Sequence, residues 1–124
     1  MFEKEIFESE YKFCLILWEN EPIPSGELVR LCAEGLGWKK STTYTVIKRL
    51  SERGVLVSEN GIVRALVSRD EVQTAESEKF LARTFGGSLP SFIAAFSRSN
   101  ALSKKDIDEL RRMIDLYEEK GEGK

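Results

Sequence analysis

The pair Asn60-Gly61 constrains this chain more than any other two residues. It is the preferred sequence for a two-residue type I′ turn, in which both central residues take a positive φ. β-rich runs flank it at 55–59 and 62–67, so the segment reads as a tight antiparallel hairpin. Immediately upstream, a helical pattern stops at Gly54. Its Thr43, Val46, Ile47 and Leu50 recur at spacings of three and four, which places them on one inward face. Thr42, Tyr44, Thr45, Lys48 and Glu52 fall on the opposite face.

Two more helices precede this unit. Ser9 is positioned to cap the first, which runs to about Asn20 with Tyr11, Cys14, Leu15 and Trp18 on one face. Glu21-Pro22-Ile23-Pro24 ends it, because each proline disfavours helix in the residue before it. Ser25 opens a second helix with Leu28, Leu31 and Cys32 inward, closed by Gly35 and Gly37. Trp38 leads into the third helix, for which Ser41 is the expected cap. Three helices and then a hairpin give the topology of a winged helix-turn-helix. From Ser68 onward the pattern is all-helical. Ser68 and Glu71 form a capping box, and the helix they open runs to Phe85 before Gly86-Gly87. Ser88 opens another, and Ser103 with Asp106 opens the last. The predicted fold class is mainly α with a small antiparallel β-hairpin: a winged helix-turn-helix domain at 1–67 and an all-α region at 68–124, frayed over 121–124.

Charge is unevenly placed on this scaffold. Lys39, Lys40, Lys48, Arg49 and Arg53 stand against Glu52 alone, so residues 38–54 carry +4 in a chain of net −2. An acidic protein that gathers positive charge on one helix addresses a polyanion there. Lys39, Lys40, Arg49 and Arg53 suit phosphate. Ser41 and Thr42 sit where free backbone N–H groups can donate to a phosphate or a base acceptor. Thr42, Tyr44, Thr45 and Lys48 suit base edges, since Thr methyls meet thymine and Lys donates to guanine. Arg64 is the only cation near the hairpin turn. Two of these residues have competing roles: Arg49 as a bridge to a glutamate of the first helix, and Tyr44 packed on the wing.

Other features narrow the function by exclusion. There is no histidine, no Gly-rich phosphate loop and no metal-ligand spacing, so neither enzymatic activity nor a cofactor or metal is expected. Cys14 and Cys32 fall on inward faces as small hydrophobes, Trp18 and Trp38 read as core, and Glu8 and Glu10 read as a solvated acidic run. MFEKEIFESE lacks the apolar run of a leader, and no stretch approaches the ~20 apolar residues of a membrane span, so a cytoplasmic location is expected.

The helices after residue 67 carry more apolar surface than three short helices can bury alone. Val72, Leu81, Phe85, Leu89, Phe92, Ile93, Phe96, Ile107, Leu110, Ile114 and Tyr117 are the expected seam of a symmetric homodimer, the alternative being that these helices fold back onto the winged-helix domain. Such a dimer would place two reading helices on successive major grooves, about 34–36 Å apart.

Several strings in this frame are similar to one known family. ESEYKFCLILWENEPIPSGEL, WKKSTTYTVIKRLSERGVL, LVSRDEV and KFLARTFGGSL together resemble the penicillinase and methicillin-resistance repressors over nearly the whole chain. The run from Phe85 to Leu89 is the most specific of these, whereas the winged helix alone is shared by many regulators. The resemblance implies a dimeric repressor of β-lactam-resistance genes on palindromic operator DNA. It further implies release by a regulatory protease, coupled to a membrane sensor of β-lactams, which cuts between Ala95 and Phe96. Many members have Asn before that Phe, where this chain has Ala95. The cysteine cluster of the copper-responsive branch is absent, which argues against copper sensing. The wing is shorter and less basic than is usual in the family. Short wing, Tyr44 and overall acidity leave a second function class open, a winged-helix protein–protein interaction module without direct DNA binding.

Overall fold

A computed structural model describes residues 6–121. The expected frayed end lies, beyond Gly121, outside the described residues. The chain divides into two compact units between Glu78 and Lys79.

The first unit contains α1 (Glu8–Asn20), β1 (Ile23–Pro24), α2 (Ser25–Leu36), α3 (Lys40–Glu52), β2 (Leu56–Glu59), β3 (Ile62–Ala65) and the first turns of α4 (Arg69–Phe85). The hairpin is as tight as the sequence requires. Glu59 pairs with Ile62, leaving only Asn60 at φ 53° and Gly61 at φ 78° to make the turn. The sheet has a third strand that the sequence reading lacks. Ile23 pairs with Val63 and Pro24 with Ile62, giving the order β1-β3-β2. A two-residue strand between prolines has no periodicity to betray it. It places its proline at an edge, where no ladder donor is needed.

The core is built from Phe13, Cys14 and Leu17 of α1, Leu28 and Cys32 of α2, Val46, Ile47 and Leu50 of α3, and Val55, Leu56 and Val63. Each large aliphatic or aromatic member contributes roughly 1.5–3 kcal/mol by leaving water. Helix α3 presents the predicted face. In α1, however, the buried face is Glu10, Phe13, Cys14 and Leu17, one residue away from the expected Tyr11, Cys14, Leu15 and Trp18. Residues 13–18 are apolar all round, so the phase depends on the position before them, and there a charged residue is buried. Trp18 and Trp38 are half-buried at the core margin. The Trp18 indole N–H donates to the Val67 carbonyl at 3.0 Å, and Trp38 stacks on Phe13 at 6.0 Å.

Helix starts divide into two groups. At Ser68 the expected box forms, with the hydroxyl accepting from Glu71 N–H at 3.0 Å and the Glu71 carboxylate accepting from Ser68 N–H at 2.7 Å. Ser88 and Ser103 also cap as expected. Ser9, Ser25 and Ser41 do not. Phe7, Pro24 and Lys39 occupy the N-cap positions, and these serines lie inside the helices.

The second unit contains the end of α4, α5 (Leu89–Ser97) and α6 (Lys104–Glu119). Gly86 and Gly87 adopt φ 58° and 84°, which lets the Gly87 N–H reach back to the Leu81 carbonyl at 2.8 Å and end α4. Phe80, Phe85 and Phe92 meet edge to face at 5.6–5.9 Å, and Phe96 adjoins Phe92 at 6.2 Å. No described residue of this unit is buried.

Candidate nucleic-acid interface

Helix α3 is clamped to the core along Thr43, Val46, Ile47 and Leu50, all buried. This fixes which residues turn outward. Thr42, Tyr44, Thr45, Lys48, Arg49 and Glu52 are exposed along its free face, with Lys39, Lys40 and Ser41 exposed at its start. No side chain caps the Lys39 position, so the first N–H groups of α3 face solvent or a ligand. Among the described residues, Lys39, Lys40, Lys48 and Arg49 form no ion pair. Their charges are therefore uncommitted.

Two of the predicted contacts are engaged within the fold. Arg53, expected to meet phosphate, directs its guanidinium inward. It donates from Nη1 to Glu10 Oε2 at 2.9 Å and from Nη2 to Glu10 Oε1 at 3.1 Å. The bridge to the first helix that the sequence offered to Arg49 is thus made one turn later, and Glu10 is buried rather than solvated. Tyr44 is held at the start of α2. Its hydroxyl lies 3.1 Å from that of Ser25 at the start of α2, while the Ser25 N–H donates to the Gly61 carbonyl at 2.8 Å.

The wing itself is small. Arg64 is exposed opposite Val57, and Glu59 balances its charge on the same hairpin. The thiols have no part in this surface. Burial pushes Cys14 up to about 12, helped by the nearby Glu10 and opposed by Arg53, and burial likewise raises Cys32. Both remain protonated, unreactive core residues.

A sequence profile of the penicillinase repressor family matches residues 6–116. The chain belongs to the penicillinase repressor family. The methicillin resistance regulatory protein MecI of Staphylococcus aureus strain Mu50 is 25% identical over 114 residues, covering 89% of this chain and 93% of its own. The penicillinase repressor of Bacillus licheniformis is 25% identical over 117 residues, 91% of each chain. A further penicillinase repressor from Staphylococcus aureus is 25% identical over 114 residues, covering 89% of this chain and 90% of its own. This is a family of transcriptional repressors, so α3 and its exposed cations lie in a transcriptional regulator. Among the described residues no helix is long and apolar enough to cross a membrane.

In this member of the penicillinase repressor family the expected seam residues are spread over both units. Val72 is fully buried in the N-terminal core, which corrects its placement at a dimer seam: the first turns of α4 belong to the winged unit. Leu81, Phe85, Phe92, Ile93, Ile107 and Leu110 are half-buried in the second unit, while Leu89, Phe96, Ile114 and Tyr117 are exposed. Sequence reasoning passed over Met113 and Leu116, both exposed on α6, and Phe80 in the aromatic cluster. Their signal was present, since 113 and 116 continue the apolar rows beside 110, 114 and 117. The Ala95–Phe96 bond lies in the last turn of α5, where Ala95 is half-buried and its carbonyl accepts from the Arg98 N–H at 3.3 Å.

Proposed function

We propose that this chain represses β-lactam-resistance genes by binding palindromic operator DNA as a homodimer, with α3 in the major groove. The observation that carries the reading is the free face of α3. Lys39, Lys40, Lys48 and Arg49 are exposed and uncommitted there, interleaved with Thr42 and Thr45, in a chain of the penicillinase repressor family. Lys39, Lys40 and Arg49 supply phosphate contacts. Thr42, Thr45 and Lys48 read base edges, with the Ser41 and Thr42 amides at the helix start. Arg64 adds at most one contact from the wing. Tyr44, tethered to Ser25, reads bases only through its ring.

By role, residues 1–67 are the DNA reader and 68–124 the pairing region, in which Leu81, Phe85, Leu89, Phe92, Ile93, Phe96, Ile107, Leu110, Ile114 and Tyr117 contribute to the seam. The repressor acts in the cytoplasm. A regulatory protease releases it by cutting between Ala95 and Phe96, which requires the last turn of α5 to open first.

The test is a salt titration of binding to the palindrome upstream of the protein's own gene. The logarithm of the affinity falls by about 0.9 per log unit of salt for each phosphate neutralised. Lys48→Ala is expected to lower affinity and to flatten the slope if Lys48 also touches phosphate. A slope near zero for the unaltered protein sinks direct DNA reading. The charge-balanced wing would then favour the protein-interaction module, and a partner protein should co-purify.

A further inference from the structure

We infer that Glu10 and Arg53 act together as a positioning pair that sets the pose of the DNA-reading helix, with Arg53 making no phosphate contact of its own. This rests on the proposed reading of α3 as the DNA-binding element. Arg53 is the C-cap of α3, and the chain passes from it through Gly54 into the first strand of the wing. Its side chain crosses to the first turn of α1, where Glu10 is only 3% exposed. Both carboxylate oxygens are used. Oε2 accepts from Arg53 Nη1, and Oε1 accepts from Arg53 Nη2 and, at 3.0 Å, from the Phe7 N–H. The guanidinium carbon also lies 6.0 Å from the centre of the Phe7 ring.

A forked contact of this kind fixes angle as well as distance. Buried pairs are poor sources of net stability, because desolvation offsets their attraction, whereas fixing one geometry is among their attested uses. The geometry being fixed matters at the other end of the helix. The 13 residues of α3 span roughly 20 Å at 1.5 Å each. A tilt of about 5° at the C-cap therefore moves Thr42 by roughly 1.5 Å, enough to break a base-edge hydrogen bond. Long lysine side chains follow such a shift and keep their phosphates. Loss of the pair should therefore reduce sequence preference while leaving the electrostatic part of binding in place.

The experiment measures, for the full-length protein, affinity for the operator and for random duplex across a salt series, alongside tryptophan-reported unfolding. Glu10→Gln is expected to lower the operator-over-random ratio about tenfold, the cost of one lost base contact, with an unchanged salt slope. Arg53→Gln should do the same, and the double variant should be no worse than either. Arg53→Lys, which keeps charge without the fork, should fall in between. Should Glu10→Gln fail to fold, the Arg53→Lys ratio decides. Folded variants with an undiminished ratio overturn the inference. So does Arg53→Gln flattening the slope by about 0.9, which would make Arg53 a phosphate contact. If the unaltered protein shows no salt-dependent operator binding, the proposed function falls first, and that outcome is separate from these.

Discussion

The two units of this chain solve the problem of apolar surface in opposite ways. Between Ile6 and Glu78, a core drawn from four helices and a three-stranded sheet hides Phe13, Leu17, Leu28, Leu50 and Val72 completely. Between Lys79 and Gly121, the described residues include none that is buried, yet Leu89, Met113, Ile114 and Tyr117 each expose more than half of their surface. The first unit is closed by its own chain. The second presents a wide apolar surface, and the proposed homodimer would cover it with the same surface of a second copy. The proposed DNA reader and the proposed pairing region are thus built on different physical terms.

The largest effect that could break this contrast is in the closed core. Both tryptophans, Trp18 and Trp38, lie in the first unit, so their fluorescence reports its unfolding. Leu17→Ala should lower that stability by about 3 kcal/mol. Leu116→Ala, on exposed α6, should leave it within about 0.5 kcal/mol. Equal losses would erase the distinction between the units. Next in size, Ile114→Glu should weaken self-association by about 2 kcal/mol, roughly thirtyfold, with tryptophan-reported unfolding at low concentration unchanged. An Ile114→Glu protein that sediments as the unaltered one does would move the pairing surface off α6. Smallest, Ser68→Ala removes the box that starts α4 and should cost the first unit about 1 kcal/mol. If it altered only self-association, the start of α4 would belong to the second unit instead.

The sequence was most legible where local rules agree. The Asn60-Gly61 turn, the inward face of α3 and the caps at Ser68, Ser88 and Ser103 each follow from a short pattern with one physical cause. It was least legible where a long-range contact overrides the pattern. Glu10 read as a solvated acid because its partner lies 43 residues away, and the same omission shifted the face of α1 by one residue. Ser25 read as a cap because nothing local reveals Tyr44 or Gly61 beside it. Val72 read as seam because it stands on the same helix as Leu81 and Phe85, and only tertiary packing assigns it to the core of the first unit. For the candidate interface, residue types and helix face were readable in advance. Which cations are free was not, since that depends on the pairing of Arg53.

The central claim is that the second unit is completed by a second copy of the chain. Sedimentation equilibrium of the unaltered protein tests it most directly. The account predicts twice the monomer mass of 14.1 kDa at micromolar concentration, with Ile114→Glu shifting the chain toward the single mass. A full-length protein that stays at 14.1 kDa at tens of micromolar would contradict it.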